Sequence, residues 1–201
     1  ASSLFGPIEE MTRAISAGGD GDFANEVGRH LDIREVLRLA AADNFMAEWD
    51  GLLGYAGMNN IYLYRPVNGP ALIVPWDKDN TFHALDYSAF SGTEDNVLVA
   101  RAMRDPELRS VYVEALRTAA SVSREPVLVP ALQPGGTRDT LGWMEALVET
   151  AARLIRKSAW SDPVKGYTKE AFEAAVTEAR RFARLRSAIV DAEVAAATAN
   201  R

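Results

Sequence analysis

Ala71-Leu72-Ile73-Val74-Pro75-Trp76-Asp77-Lys78-Asp79 is the stretch on which the reading of this chain turns. Its four leading apolar residues read as a short buried strand, which ends in two carboxylates one residue apart. A carboxylate leaving an apolar strand needs a cation, a metal ion or several hydrogen bonds to offset its lost hydration. Upstream, Ile61-Tyr62-Leu63-Tyr64 is a strand by residue type, and Pro66-Val67-Asn68-Gly69-Pro70 is a turn signal. The two runs make a β-hairpin. A hairpin folds back on itself, so it returns Asp77 toward Asp50, which precedes the first strand.

Working outward, the flanks are helical. Leu4, Ile8, Met11 and Ile15 recur at helical spacing over 4–16, and Gly18-Gly19-Asp20-Gly21-Asp22 breaks the pattern as a turn. Asp32 and Glu35 form a capping-box variant. The helix they open carries Ile33, Val36, Leu37, Ala40, Ala41 and Phe45 on one face. It is expected to run to about Glu48 and to stop at Trp49-Asp50-Gly51. Beyond the hairpin the rest of the chain is expected to be helical. Asp105-Pro106-Glu107 starts one helix, with Leu108, Val111, Tyr112, Ala115 and Leu116 facing inward. A second runs from Thr140 to about Ser158. Thr168 caps a long last helix carrying Phe172, Val176, Ala179, Phe182, Leu185 and Ile189, whose alanine-rich tail is expected to fray from Ala195. The sum is an α+β chain, mostly helical, with one β-hairpin, read as a single domain over 1–201.

Composition narrows the function. The 201 residues are 48% hydrophobic and 25% charged, a globular balance with enough chain for a core. The net charge of −6 argues against a large nucleic-acid surface. With no cysteine, disulfides, thiolate zinc sites and cysteine nucleophiles are excluded. No apolar run approaches the roughly 18 residues of a membrane span. The N-terminus has neither an initiator Met nor a signal core, so the chain reads as a processed product or a fragment.

The order of parts is helix, Asp50, a loop with Asn59-Asn60, hairpin, Asp77-x-Asp79. The catalytic lobe of a protein kinase has the same order: a catalytic Asp, a metal-binding Asn, and a second Asp that holds magnesium on the nucleotide phosphates. Phosphoryl transfer needs a carboxylate near the acceptor hydroxyl and hard oxygen ligands for magnesium, and Asp and Asn supply both. An acid at a helix C-terminus, where Asp50 is expected, faces the negative end of the dipole, which makes it an unusual structural choice.

Three elements then resemble the CotH spore-coat kinase-like family: Glu48-Trp49-Asp50, Asn60-Ile61-Tyr62-Leu63-Tyr64-Arg65, and Pro75-Trp76-Asp77-Lys78-Asp79-Asn80-Thr81-Phe82. Asp32–Asn44, Asn96–Thr118 and Phe172–Ile189 resemble the family's flanking helices. The resemblance implies an atypical protein-kinase-like C-terminal lobe. It implies ATP as co-substrate, with Mg or Mn, and phosphorylation of serines on secreted or surface proteins. Position by position, Asp50 matches the catalytic Asp and Asp77 the magnesium ligand. Asp79 is a second metal ligand or cofactor support, and Asn60 a cofactor-binding residue. The protein substrate is expected to be Ser-rich and basic, and the location extracellular, at the cell surface or in a spore coat. Glu48 stands where the family usually has Asn, and His83 where Gly commonly follows Phe. The family's nucleotide-binding lobe precedes these elements, so it is expected to lie largely outside this chain, which alone would bind nucleotide weakly.

Two other functions fit the same parts. One is a catalytically silent coat or surface protein that binds a partner through this fold. The other is a small-molecule kinase of the aminoglycoside or choline type, whose catalytic His-x-Asp element is absent at Asp50. His30 and His83 have no ligand-spaced partner. Arg180, Arg181, Arg184 and Arg186 form a basic run on the last helix, of which Arg180 and Arg184, with Glu178, read as a solvated face; Trp143 and Trp160 read as core or helix-packing anchors.

Overall fold

The computed structural model describes residues 5–17, 19–132, 136 and 138–199. Leu4 and Gly18, which enter the sequence reading, lie outside them. The chain forms two compact units, one made of Ala1–His83 with Tyr87–Leu116, the other of Ala84–Asp86 with Arg117–Arg201.

The first unit opens with α1 (Gly6–Ala17), a 3₁₀ turn at Asp20–Asp22 and a short α2 (Phe23–Gly28), which the glycine-rich sequence does not announce. α3 (Ile33–Phe45) is its central element. Asp32 caps it by accepting the Glu35 N–H at 3.0 Å, as the capping box requires. All six expected apolar positions of α3, from Ile33 to Phe45, are buried. β1 (Ile61–Tyr64) and β2 (Leu72–Pro75) form the antiparallel hairpin, pairing Ile61 with Pro75 and Tyr64 with Leu72. The return strand starts one residue later than expected. Ala71 instead bridges the chain just before α3: its N–H donates to His30 O at 2.8 Å and its carbonyl accepts the Asp32 N–H at 3.1 Å. The hairpin is thereby anchored to the N-terminus of α3.

α4 (Val97–Ala102), capped by Asn96, and the first part of α5 (Pro106–Ser123) complete this unit. Asp105 caps α5 through the Glu107 and Leu108 N–H groups, as read from sequence. A buried polar knot ties α5 to α3. Asn44 Nδ2 donates to the Tyr112 hydroxyl at 2.8 Å and to Ser91 O at 2.8 Å, and Tyr112 donates to Ala89 O at 2.6 Å. This holds the 88–92 loop against the helix that precedes Asp50.

The second unit corrects the expectation of a single hairpin. β3 (Pro126–Pro130) pairs antiparallel with β4 (Arg138–Gly142), so the described residues contain two two-stranded sheets. Val127-Leu128-Val129 between prolines is a strand run, and prolines at its ends are tolerated where no ladder N–H is needed. Thr140 and Leu141 belong to β4, and the helix expected from Thr140 starts at Trp143 instead (α6, Trp143–Ser161). α7 (Lys169–Ala199) is capped by Thr168 and runs on through the alanine-rich tail.

The solvated face expected at Arg180 and Arg184 holds in part: their side chains are 32% and 64% exposed, and both are paired. Arg184 pairs with Glu145 and Arg180 with Glu149, both acids on α6, while Arg186 is fully buried and donates to Leu85 O at 2.9 Å. Leu185, expected in the core, is 40% exposed. Trp143 and Trp160 are likewise exposed, by 44% and 38%, rather than core anchors. The inward face of α7 is Val176, Phe182, Ala183, Arg186, Ser187, Val190 and Val194, one position round from the expected stripe.

Candidate functional site

The helix expected to reach Glu48 stops at Phe45. Its end is a Schellman motif: Glu48 N–H donates to Asp43 O at 2.8 Å and Ala47 N–H to Asn44 O at 3.2 Å, with Ala47 left-handed at φ 52°. Alanine at this position hides the stop, since glycine is the usual signal and the nearest glycine is Gly51. Asp50 therefore sits in a turn beyond the helix, and the dipole argument for it does not apply.

That turn is closed by side chains. Glu48 Oε1 accepts the Asp50 N–H at 3.0 Å. Asp43 Oδ2 accepts the Leu52 N–H at 3.1 Å and the Lys78 ammonium at 2.9 Å. Asp43 is 6% exposed and Glu48 1%, so two carboxylates and one lysine form a mostly buried ionic group beneath the Asp50 turn. Gly51 packs onto it, for a Cβ there would meet Asp43 Oδ2 at 2.5 Å and Glu48 Cγ at 2.6 Å. Burial pushes the Glu48 carboxyl above the usual range, and neighbouring Asp43 and Asp50 add to this; the Asp50 N–H and Lys78 pull the other way. Its second oxygen, Oε2, is buried without a hydrogen-bond partner. Sequence reading did not identify Asp43, nor give Glu48 or Lys78 a role; a buried acid on a helix gives no local signal of its partner.

Asp50 is half-buried, and both oxygens are engaged. Oδ1 accepts from Asn59 Nδ2 at 2.9 Å and Oδ2 from Asn60 Nδ2 at 3.2 Å; the same amide reaches the Asp50 carbonyl at 3.0 Å. The two asparagines before β1, which the sequence suggests as turn residues or ligands, thus hold the carboxylate. Asn60 carries the contact onward, since its carbonyl accepts the Trp76 N–H at 3.1 Å. The structure in this way brings Asp50, Asn60 and the segment that opens with Trp76-Asp77 to one end of the hairpin. Asp77 and Asp79 are both exposed. Asp79 Oδ1 accepts from its neighbour Asn80 at 3.1 Å.

Residues 80–83 then run back along 46–49. Trp49 N–H donates to Asn80 O at 3.3 Å, Phe82 N–H to Met46 O at 2.8 Å and His83 N–H to Ala47 O at 3.3 Å. His83 stacks on Trp49, which stacks on Tyr55, with ring centroids 4.9 and 4.0 Å apart. A cleft of about 420 Å³ opens beside this stack, walled by Trp49, Tyr55, Tyr87, Gly92 and Asp95.

Strain concentrates here. Ala47, Asn60, Asp77 and Phe82, at φ 50–63°, are the non-glycine residues with left-handed backbone among those described. Each costs about 1 kcal/mol, and such residues persist where surrounding contacts over-determine them, often at functional sites.

Among the described residues, no three His, Asp or Glu side chains form a metal cage. Two exposed carboxylates and the Asn60 side-chain oxygen are instead hard donors of the kind magnesium uses when phosphate oxygens complete its shell. The residues present fit that ion.

Two comparisons bear on this arrangement. A family model described as CotH kinase protein matches residues 3–122, a stretch that takes in Asp43, Asp50, Asn60 and Asp77–Phe82. The inner spore coat protein H of Bacillus subtilis (strain 168) is 27% identical over 176 residues, 83% of this chain. The chain spans 42% of that relative's length.

Proposed function

Since the chain belongs to the CotH kinase protein family, we infer that it carries the catalytic-loop part of an ATP-dependent protein serine kinase. The observation that supports this best is the fixing of Asp50 by Asn59 and Asn60 at the hairpin end from which Asp77 emerges.

With both oxygens held by amides, Asp50 is oriented and remains an acceptor. It takes the hydrogen bond of a serine hydroxyl and then its proton as the oxygen attacks the γ-phosphorus of ATP; the bond from that phosphorus to the β–γ bridging oxygen breaks, and ADP leaves. Asp77 and Asp79, with the Asn60 side-chain oxygen, would hold Mg or Mn. The bound ion supplies charge neutralisation on the transferring phosphate. The Trp49–Tyr55 cleft, with Asp95 at its wall, offers the acceptor protein a seat next to Asp50 and favours a Ser-rich, basic segment over an acidic one. By analogy with the name of its relative, an inner spore coat protein, we assign the protein to a spore coat. Among the described residues no helix is long and apolar enough to cross a membrane.

The test is phosphate transfer from ATP to a Ser-rich basic peptide by the full-length protein with Mg²⁺ or Mn²⁺. Asp50→Ala and Asp77→Ala should each abolish it, and undiminished transfer after Asp77→Ala would sink the assignment. The rival is a catalytically silent coat component. It draws on the exposed aromatic face of the hairpin, where Tyr62, Tyr64 and Trp76 are 59%, 57% and 47% accessible, a surface suited to a partner protein. A full-length protein that binds neither nucleotide nor metal yet retains a coat protein would establish that rival. A small-molecule kinase ranks last, because Glu48, not His, stands two residues before Asp50.

A further inference from the structure

Lys78 lies between the two acids of the Asp77-Lys78-Asp79 motif but turns the opposite way. Asp77 and Asp79 are exposed, whereas the Lys78 side chain is 27% accessible and ends on Asp43, which is 7% accessible. The oxygen it meets, Asp43 Oδ2, is also the acceptor of the Leu52 N–H. One carboxylate oxygen on α3 therefore holds two segments at once: the turn that carries Asp50, and the segment that carries Asp77 and Asp79.

We propose that Asp43 and Lys78 are positioning residues, a clamp that sets the metal-holding carboxylates at a fixed distance from Asp50. The clamp rests on the kinase reading for its purpose but on geometry for its existence. Three features support it. The Asp77 backbone is left-handed at φ 50°, so the segment needs an external hold to keep its conformation. Gly51 makes the room that Asp43 Oδ2 occupies, since a Cβ at that position would lie 2.5 Å from the oxygen. Lys78 is the cation beside two buried carboxylates, Asp43 and Glu48. Without it both would face low dielectric uncompensated, and Asp43 would have reason to turn outward. The arrangement parallels metal sites in which outer residues orient the ligands, and where removing one weakens metal affinity about 10–100-fold.

The experiment uses the full-length protein and two readouts. Amide exchange at Leu52 and over 76–83 should speed up at least about tenfold in Lys78→Met. The dissociation constant for Mn²⁺, measured by electron paramagnetic resonance with a non-hydrolysable ATP analogue, should rise by about tenfold or more. Lys78→Arg should recover most of both. Asp43→Asn keeps an acceptor for Leu52 and removes only the ion pair, so it serves where Lys78→Met does not fold. Combining Asp43→Asn with Lys78→Met should cost no more than the worse single change. Unchanged exchange in both single variants overturns the clamp, whatever the metal result. Faster exchange with unchanged Mn²⁺ affinity overturns its positioning role. A wild-type protein that binds no Mn²⁺, with exchange still faster in Lys78→Met, leaves the clamp standing and overturns the kinase reading instead.

Discussion

Asn60 Nδ2 donates to Asp50 twice, to the carboxylate at 3.2 Å and to the backbone carbonyl at 3.0 Å. It does so from a left-handed backbone at φ 52°, which asparagine tolerates better than most residues. One residue thus fixes both the side chain and the main chain of the proposed catalytic acid, and its own carbonyl holds the strand that leads to Asp77.

Asn60→Ala should lower phosphate transfer by about 100-fold, the scale of a 1 Å misplacement of a reacting group. It should also cost about 1–2 kcal/mol of stability through the left-handed backbone. Asn60→Gly separates the two effects. Glycine accepts the backbone, so thermal stability should recover relative to alanine while transfer stays low. Equal transfer by Asn60→Gly and wild type would show that Asp50 needs no such support.

Glu48 predicts a pH dependence of known sign. Burial raises its folded-state pKa above the unfolded value of about 4.3, so the native protein prefers the neutral acid. Between the two values the folded state binds the extra proton, and stability falls as pH rises through that window. Glu48→Gln keeps the acceptor for the Asp50 N–H and removes the titration. Its melting temperature relative to wild type should therefore climb as pH passes above about 4.3, then level off. Paired thermal melts from pH 3.5 to 8 check this, and a constant difference would contradict it.

In the second unit, Glu149 is 4% accessible at its side chain and joins Arg180 on α7 to Arg153, one turn along α6. Glu149→Ala leaves two arginines without it. The expected loss is about 2 kcal/mol, less than the 3–5 of a fully buried pair, because both arginines are about a third exposed. Urea unfolding measures it. Glu178→Ala, whose pair with Arg181 is exposed, should change stability by under about 0.5 kcal/mol in the same assay.

What the sequence revealed, and what it hid, divides along physical lines. Periodicity and caps located α3, α5 and α7, because Asp32, Asp105 and Thr168 act on backbone within three residues of themselves. The first hairpin was legible from its turn and its strand residues. The second was missed because its connecting loop carries no paired alternation, and Leu141 fits a helical stripe as well as a strand. Asp50, Asn60, Asp77 and Asp79 could be named from spacing and resemblance. Their support could not. Asp43 and Lys78 lie 35 residues apart, and neither residue type announces a buried partner. Arg186 is hidden for the same reason: its place in a basic run gives no sign of burial, and only the packed unit shows it inside.

The stitches between 46–49 and 80–83 are made by main-chain atoms alone. Any residue but proline can supply an N–H and a carbonyl, so the segment that follows the two acids is free to change its side chains without changing its course. His83 uses that freedom to lay its ring on Trp49. The path of this loop is thus insulated from most of its own spelling, and the residues at 80–83 are open to take on contacts of their own.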